Sequence, residues 1–459
     1  MSLFLPSDSR PVHFVGIAGA GMRALAELAA RRGITVTGCD ASPGAVGDLE
    51  RLGITVSRGH DPAHADGARA IVVTSAMPRD HPELERARAL GLPVVRRAEA
   101  LAEAVAVGDV VAIAGTHGKT TTTVMTTDAL RAAERAPTGI AGGRVGAWEG
   151  NLSLGSDRLF VVEADEYDRS FLALSPTVAT VTNVEADHLD IYADLDDIRG
   201  AFAQFIGAAR AVVLCDDDSG ASTLPLPSGA EVIRYGIASG DARLVAQNVR
   251  VVDGGTAFRV VFDDEVVADV NLQVPGHHNV LNALAALGSG LALGADAQRM
   301  AEGLARFRGV ERRFEHVGDA AGVRVVDDYA HHPTEIRATL AAARSAFPDR
   351  RLVAAFQPHL YSRTRDFARE FGEALAAADA VFLTEIYPAR EQPMVGVTAA
   401  LVQHAVRQAG TEVAWLGERG NLAAALAAAV RPGDVVLTMG AGDITKTGAE
   451  LLTRLGSKV

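Results

Sequence analysis

Residues 109–123, DVVAIAGTHGKTTTT, combine the residue types that bind nucleotide phosphates. An apolar β-type run breaks at Gly115, and a helix is predicted from Lys119 onwards. Glycines let backbone N–H groups close on phosphate oxygens, and a helix N-terminus adds partial positive charge. Lys119 would then reach the β- and γ-phosphates, and the Thr120 hydroxyl would bind Mg²⁺. The spacing departs from G-x-x-x-x-G-K-[ST], which needs glycine at Ile113, so a glycine-rich turn without a ligand is the alternative.

Lysine usage favours the phosphate-binding interpretation. Lysine occurs only at positions 119, 446 and 458, and arginine supplies nearly all other positive charge. A chain that otherwise avoids lysine has one where a phosphate-binding loop requires it.

Acidic and histidine side chains follow the next two predicted strands. Glu163 is the first of four acids that end the run LFVVEADEYD, and His188 ends the segment NVEADH after a strand at 177–182. The carboxyl ends of parallel strands share one edge of a sheet, so a Mg²⁺ ligand is expected there. The alternatives are a solvated acidic turn and a core or capping role for His188.

The N-terminus predicts a second phosphate-type loop. A strand at 12–17 is followed by Ala18-Gly-Ala-Gly21, a helix, and a strand that ends in Asp40. This resembles a dinucleotide fingerprint with Ala18 in place of the middle glycine. A βαβ unit without a ligand is the alternative, and Asp40 could bind a ribose hydroxyl or cap the next helix.

Three β/α series along the chain must position these residues. The predicted fold is α/β in three domains: a Rossmann-like domain at 1–108, a central P-loop ATPase-type domain at 109–316, and a Rossmann-like domain at 317–459. The central sheet is expected to be mostly parallel, with a small antiparallel addition at 244–274. Asn279 and Asn282 begin a helix, where they could cap it or meet a base edge. In the third domain, strands are predicted at 323–328, 352–356, 380–384 and 434–438, and polar clusters at 327–333, 357–364 and 440–443 lie at strand ends.

Composition limits the class of protein. The 459 residues carry a net charge of -13, which argues against nucleic acid as the main partner. Two cysteines, Cys39 and Cys215, are too few for a disulfide framework or a cysteine metal site and fit a reducing cytoplasm. We expect no export signal and no membrane span, because neither pattern is found in the sequence.

The assembled motifs resemble those of the Mur ligases along essentially the whole chain. They occur in the family's order: GTHGKTT from 115, EADE from 163, N-x-E-x-D-H from 183, PG-x-HN-x-x-N from 275, FRGVERRFE from 307 and DDYAHHP from 327. HFVGI near the N-terminus and FQPH from 356 are most similar to members that use L-alanine.

The resemblance implies an ATP-dependent ligase that joins L-alanine to the lactyl carboxylate of UDP-N-acetylmuramate through an acyl phosphate. ATP and two Mg²⁺ are implied, and so is a monomer or homodimer. Lys119, His188, His331 and Arg363 would be catalytic, and Thr120, Glu163 and His188 would bind metal. The implied nucleotide contacts are Gly115, Thr116, His117, Gly118, Lys119, Thr120, Thr121, His278, Asn279, Asn282, Arg313 and Asp328. The implied sugar-nucleotide contacts are Gly19, Ala20, Asp40, Ser75 and Arg97, while His331 and Arg363 match the amino-acid pocket.

Departures from the family pattern keep alternatives open. Leu360 stands where many relatives have arginine, so the clamp on the amino-acid carboxylate is reduced to Arg363. A lysine carbamate as metal ligand is excluded, because no lysine lies between 119 and 446. Tyr167 replaces a common serine. The alternatives are a recycling ligase that adds a tripeptide to the same sugar nucleotide, a nicotinamide-dependent oxidoreductase, and a silent nucleotide-binding regulator.

Overall fold

The computed structural model describes residues 3–4, 6–44, 46–74, 77–389 and 391–456. By internal contacts the chain divides into two compact units. The first comprises Met1–Gln247, Arg259–Val270 and Leu281–Ala305, and the second comprises Asn248–Phe258, Asn271–Val280 and Arg306–Val459.

In the described N-terminal residues, a parallel sheet is built from β1 (Val12–Val15), β2 (Val36–Asp40), β3 (Thr55–Arg58), β4 (Ala70–Val73) and β5 (Val94–Arg96). Its helices are α1 (Ala20–Arg31), α2 (Gly47–Arg51), α3 (Pro82–Ala89) and α4 (Arg97–Val105), with a 3₁₀ helix at Pro62–Ala65. The strand order is β3-β2-β1-β4-β5, so the order reverses between β1 and β4. Ligands of open α/β sheets bind at such a reversal, and the glycine-rich loop after β1 lies there.

The second sheet contains the phosphate-binding segment. Its strands are β6 (Asp109–Ala114), β7 (Thr138–Val145), β8 (Gly150–Ser153), β9 (Leu159–Glu163), β10 (Val178–Val181), β11 (Ala211–Cys215), β12 (Glu231–Gly236), β13 (Leu244–Val252), β14 (Gly255–Phe262) and β15 (Glu265–Leu272). Across the described residues the order is β15-β14-β13-β12-β11-β10-β6-β9-β7-β8. Strand β6 pairs in parallel with β9 and β10, so the loops after these three strands converge.

The helices after β6 are α5 (Lys119–Ala132), α6 (Leu195–Ile206), α7 (Ser219–Ser222), α8 (His277–Leu291) and α9 (Ala297–Leu304), with 3₁₀ turns at Gly146–Trp148 and Tyr167–Ala173. Two-residue turns join β13 to β14 and β14 to β15, so these strands form an antiparallel meander. Asp253, Gly254, Asp263 and Asp264 have φ of 49°, 79°, 49° and 67°, the left-handed values that tight hairpins need. The predicted antiparallel addition is confirmed.

The third sheet comprises β16 (Glu315–Ala320), β17 (Val323–Asp328), β18 (Leu352–Phe356), β19 (Ala380–Thr384), β20 (Val413–Gly417) and β21 (Val435–Met439). In the described chain its order is β16-β17-β21-β18-β19-β20, with β16 antiparallel to β17 and the other pairs parallel. Its helices are α10 (Pro333–Ala346), α11 (Tyr361–Asp366), α12 (Ala368–Leu375), α13 (Ala400–Gln408), α14 (Arg419–Ala429) and α15 (Lys446–Gly456), with a 3₁₀ turn at Asp443–Thr445.

Apolar runs that are buried on both faces form the central strands. In β6, residues 110–114 are at most 3% exposed, as expected for a parallel strand covered by helices on each side. The predicted α/β class with three mostly parallel sheets is confirmed. The domain boundaries at 108 and 316 stay a prediction. Among the described residues, no helix combines the length and apolar character needed to cross a bilayer.

Candidate active site

The loop between β6 and α5 has a backbone that only glycine fits at two positions. Gly115 and Gly118 have φ of 140° and 80°. A Cβ on Gly115 would lie 2.0 Å from Thr182 Oγ1, and one on Gly118 would lie 2.6 Å from Asn282 Oδ1. The first four N–H groups of a helix have no partner within it, so the start of α5 at Lys119 presents donors to a ligand.

The residues after β10 hold this loop in shape. Asn183 accepts hydrogen bonds from the backbone N–H groups of Thr116, through its carbonyl at 3.1 Å, and His117, through its Oδ1 at 2.7 Å. The Thr182 hydroxyl and the Asn183 amide in turn donate to the His117 carbonyl at 2.6 and 3.1 Å. The loop conformation is therefore fixed by the protein itself.

Lys119 is held inside the loop by a buried ion pair. Its Nζ donates to the carbonyls of Gly115 and Thr116 at 2.7 and 3.2 Å, and to Glu166 Oε1 at 2.9 Å. Burial is the largest effect on the Lys119 pKa and lowers it, but the charges of Glu166 and Asp165 outweigh burial and hold the pKa above its usual value. Burial raises the pKa of Glu166 to about 7, with Lys119 opposing the shift. Lys119 is thus an ammonium ion, and a phosphate group could replace Glu166 as its partner.

The expected metal ligands lie around this pair. Thr120 is buried at the start of α5, and Glu163 Oε2 accepts the Gly142 N–H at 2.6 Å. His188, with φ of 53°, places Nε2 3.6 Å from Glu166 Oε1. The acidic segment therefore divides, with Glu163 directed to Gly142 and Glu166 directed to Lys119 and His188.

A cavity of about 260 Å³ joins the first sheet to the second within the first unit. Its lining includes Gly19, Ala20, Arg97, Gly142, Glu163 and Asp165. The Arg97 Nη1 would be 3.1 Å from a Cβ on Gly21, so the guanidinium lies close against the start of α1. A cationic fork beside a glycine-rich helix start can bind a diphosphate bidentately.

Asp40 shapes the glycine-rich loop. Its carboxylate accepts the N–H groups of Ala18 at 3.1 Å and Ser42 at 2.9 Å. Capping of the next helix, one of the two alternatives for Asp40, is wrong because α2 begins at Gly47 with Val46 as its N-cap. A ribose contact stays a prediction, and Ser75 lies outside the described residues.

Asn282 and Asn279, at the start of α8, have different surroundings. Asn282 Oδ1 accepts the Thr122 hydroxyl at 3.2 Å, beside Gly118 of the phosphate loop. The Asn279 amide donates to the Pro275 carbonyl at 2.8 Å, which braces the chain as it enters the helix. In the second unit, burial lowers the pKa of His278 to about 4, and the Arg313 charge acts in the same direction. His278 is thus neutral at pH 7.

Asp328 ends β17 in the second unit. It accepts the N–H groups of Phe314 and Ala330, both at 2.8 Å, and burial raises its pKa to about 6. His331 lies with Nδ1 3.0 Å from the Tyr329 carbonyl, to which the protonated nitrogen can donate. Its ring is centred 6.0 Å from that of His359.

Arg313 and Arg363 are the arginines predicted for this unit. Arg313 lies over the Tyr329 ring at 5.2 Å and pairs with Glu335 at 3.4 Å. Arg363 is 6% exposed on the short helix α11, whose N-cap is Leu360 with φ of 68°. The structure therefore places His331 and Arg363 in one unit with Asp328, and places Lys119, Glu163 and His188 in the other.

Three family descriptions match consecutive parts of this chain. "Mur ligase family, catalytic domain" matches residues 11–107, "Mur ligase middle domain" matches 113–290, and "Mur ligase, glutamate ligase domain" matches 312–442. The chain belongs to the Mur ligase family.

Individual relatives resemble this Mur ligase over nearly its full length. The UDP-N-acetylmuramate--L-alanine ligase of Laribacter hongkongensis is 45% identical over 464 residues, which cover 98% of each chain. The UDP-N-acetylmuramate-alanine ligase of Thermotoga maritima superposes with a TM-score of 0.83 at 29% identity, covering 98% of this chain and 100% of that one. A murein peptide ligase of Psychrobacter arcticus superposes with a TM-score of 0.72 at 27% identity, covering 98% and 99%.

The residues of this Mur ligase fit a nucleotide phosphate and a hard cation. Gly115 and Gly118 give the loop a backbone that another residue could not adopt without meeting Thr182 or Asn282, and the helix that follows presents its first N–H groups to a phosphate. A hydroxyl, several carboxylates and an imidazole surround Lys119, and oxygen donors are those that Mg²⁺ prefers.

Glu166 and Asn183 are site residues that sequence reasoning missed in this Mur ligase. Both belong to motifs that the sequence showed, EADE and N-x-E-x-D-H. For Glu166 the missing signal was direction, because the chain leaves strand geometry after Glu163 and Glu166 has the helical φ of -73° and ψ of -19°. Spacing along a turn of that kind does not show which acid faces the loop.

Proposed function

We propose that this chain is an ATP-dependent ligase that joins L-alanine to the lactyl carboxylate of UDP-N-acetylmuramate and releases ADP and phosphate. The observation that carries the proposal is the cavity in which the glycine-rich loop of the first sheet meets Glu163 and Asp165, next to the Lys119–Glu166 pair. A sugar diphosphate bound in that cavity would lie next to a nucleotide triphosphate bound on the loop at Lys119. The relatives named for L-alanine addition support this choice of substrates.

The reaction needs two displacements. A carboxylate oxygen attacks the γ-phosphorus and ADP leaves, which gives an acyl phosphate. The alanine nitrogen then attacks the acyl carbon, phosphate leaves, and the amine loses a proton. Both partners of the first step are anionic, so positive charge must be fixed where they meet.

Lys119 and the N–H groups at the start of α5 would supply that charge. Because Lys119 keeps its proton in a buried position, it is charged before ATP arrives. Mg²⁺, with two ions proposed, would be held by Thr120, Glu163 and His188 and would neutralise phosphate charge.

The remaining groups bind and orient. Gly19, Ala20 and Arg97 would hold the diphosphate of the sugar nucleotide, and Asp40 and Ser75 are proposed as further contacts to the same substrate. His278, Asn279, Asn282, Arg313 and Asp328 would contact ATP, together with the loop residues Gly115, Thr116, His117, Gly118 and Thr121. Arg363 would bind the carboxylate of L-alanine and His331 would lie in the same pocket. We also propose a cytoplasmic monomer or homodimer with domains at 1–108, 109–316 and 317–459.

The test is ADP release by the purified protein with ATP, Mg²⁺ and UDP-N-acetylmuramate, with product mass identifying the amide. L-alanine, glycine, L-serine and L-alanyl-γ-D-glutamyl-diaminopimelate are compared as acceptors. We expect release that depends on the sugar nucleotide, with L-alanine preferred. Turnover with the tripeptide alone would overturn the proposal in favour of a recycling ligase, and no turnover with any acceptor would leave only a nucleotide-binding protein.

A further inference from the structure

A second cluster of reactive side chains lies in the first sheet and plays no part in the proposed reaction. Its centre is Glu83, which is 0% exposed at the start of α3. Four imidazoles and one thiol surround this carboxylate: His13, Cys39, His60, His64 and His81.

The fold gathers these groups from distant parts of the chain. Alternate residues of a strand share one face of its sheet, so His13 of β1 lies on the same face as Val15. On β2, Thr37 is paired with His13 and Cys39 is paired with Val15. The 3₁₀ helix Pro62–Ala65 carries His64, and α3 brings Glu83. None of these groups lines the cavity described above.

The distances suit a shared cation. One donor atom from each of His13, Cys39, His64 and Glu83 lies within 4.8 Å of the others. Cys39 Sγ is 3.1 Å from Glu83 Oε1, and His64 Nδ1 is 2.6 Å from the same oxygen. Tetrahedral Zn²⁺ with bonds of about 2.1–2.3 Å places its ligand atoms about 3.4–3.7 Å apart, so only small movements are needed.

Two ring nitrogens of the cluster, His13 Nε2 and His81 Nδ1, have no hydrogen-bond partner among the described residues. His13 is 2% exposed, and its Nε2 has no hydrogen-bond partner among the described residues. Its other nitrogen, Nδ1, is 2.9 Å from the Thr37 hydroxyl, which fixes the ring orientation. In a metal-bound histidine, one ring nitrogen usually donates a hydrogen bond to a neighbouring group while the other nitrogen binds the metal. An unpaired buried nitrogen is otherwise costly, because it has lost its hydrogen bond to water.

We propose that His13 Nε2, Cys39 Sγ, His64 and Glu83 bind one Zn²⁺ in the N-terminal sheet. Mixed sulfur, nitrogen and oxygen donors select zinc over Mg²⁺, which takes oxygen ligands. On binding, the Cys39 thiol proton is released to solvent and a zinc–sulfur bond forms. The proton between His64 and Glu83 moves to His64 Nε2, which frees Nδ1 for the metal. The sequence expectation excluded a site built from cysteines, whereas this one needs a single cysteine.

The position of the site indicates a structural role. The Cys39 carbonyl accepts the N–H groups of Gly16 and Ile17 at 2.8 and 3.1 Å, at the beginning of the glycine-rich loop. A metal bound to Cys39 would therefore fix the strand end on which that loop rests. The site stands independently of the proposed ligase reaction.

The experiment is a titration of the metal-free protein with Co²⁺ in excess Mg²⁺, followed by competition with Zn²⁺. We expect one equivalent of Co²⁺ to produce a thiolate-to-cobalt charge-transfer band that Zn²⁺ removes. Cys215→Ser, which changes the chain's other cysteine, is expected to keep the band, and Cys39→Ser is expected to abolish it. Loss of an outer partner already weakens metal binding about 10–100-fold, so Cys39→Ser is expected to weaken Zn²⁺ binding by at least about 100-fold.

His13→Gln provides a variant that leaves the thiol in place, with His404→Gln on the exposed face of α13 as its control. We expect His13→Gln alone to weaken Zn²⁺ binding while circular dichroism shows a folded protein. The proposal is overturned if the wild-type protein gives no thiolate band, if Mg²⁺ displaces the Co²⁺, or if Cys215→Ser abolishes the band and Cys39→Ser does not.

Discussion

Glu166 and Glu83 are both withdrawn from solvent, with 3% and 0% exposure, yet their pKa values move in opposite directions. Burial alone raises the pKa of each carboxyl. At Glu166 the Lys119 charge offsets only part of that effect, and the pKa rises to about 7. At Glu83 the hydrogen bonds from His64, Cys39 and a backbone N–H outweigh burial, so the pKa falls below its usual value.

The difference lies in what each carboxylate is surrounded by. Glu166 pairs with one cation, Lys119, which a phosphate group could bind instead. Another acid, Asp165, lies nearby, so the negative charge of Glu166 is poorly stabilised. Glu83 accepts hydrogen bonds from Cys39, the Asp61 N–H and His64, with His60 and His81 nearby, and these donors keep its charge fixed. A buried carboxylate in an exchangeable pair suits ligand binding, whereas one in a closed set of donors suits a structural centre.

Removing Lys119 from its ion pair with Glu166 should have the largest effect. Lys119→Ala removes the fixed positive charge at the phosphate loop, and we expect kcat/KM for ATP to fall about 1,000-fold or more. Steady-state ADP release measures this loss. Lys446→Ala, at the start of α15, is the matched control and should stay within twofold of wild type. A Lys119→Ala enzyme within tenfold of wild type would contradict the assigned role.

The raised pKa of Glu166 predicts a pH-dependent stability. Because the folded pKa of about 7 lies above the ordinary value of 4.5, the contribution of Glu166 is fully present below pH 4.5 and is lost as pH rises through 7. Over that window the local free energy of unfolding of the wild-type protein should therefore fall by about 3 kcal/mol relative to that of Glu166→Gln. Hydrogen exchange of the α5 amides, corrected for intrinsic rates, reports the difference. A pH-independent difference would show that Glu166 is not shifted.

Replacing the Glu83 carboxylate by a neutral amide should destabilise the first sheet. Glu83→Gln replaces an acceptor oxygen by a donor amide in a site that already contains several donors, and we expect a local loss of about 2 kcal/mol at pH 7. Faster hydrogen exchange in β1 and β2 measures this loss. Glu85→Gln on the exposed side of α3 is the control. Equal exchange in both variants would mean that Glu83 is no better stabilised than a surface acid.

The smallest expected effect concerns the loop that positions Lys119. Gly118→Ala adds a Cβ 2.6 Å from Asn282 Oδ1 at φ of 80°, whereas Gly294→Ala adds one at φ of 68° with open space around it. Both variants bear backbone strain of about 1 kcal/mol. Only Gly118→Ala should also raise KM for ATP, by roughly tenfold, since about 1.4 kcal/mol corresponds to that factor. An equal KM in the two variants would show that the contact with Asn282 has no effect on the loop.

Buried apolar strands were the most predictable part of the fold. The predicted strands 323–328, 352–356 and 380–384 agree residue for residue with β17, β18 and β19. A run of β-branched and apolar residues that ends in polar ones marks such a strand clearly. Strand β16, EHVGDA, was not predicted because it is polar, lies at the sheet edge and forms only by pairing with β17.

The candidate site was predictable where one motif holds its residues together. Lys119 and Thr120 follow directly from the loop sequence, and Glu163 and His188 follow from strand ends. The cluster at Glu83 could not be found in this way, because its members come from β1, β2, a 3₁₀ helix and α3. Only the pairing of parallel strands, fixed by packing, brings these segments together.

The hydrogen bonds of Thr182 and Asn183 to the phosphate loop affect how quickly nucleotide binds. Their hydrogen bonds shape the phosphate loop during folding, so the loss of conformational freedom in that loop is complete before ATP arrives. Binding to a preorganised loop avoids the ordering cost that a flexible one adds to each encounter. We expect ATP to associate without a slow loop rearrangement and at a rate set by diffusion and orientation.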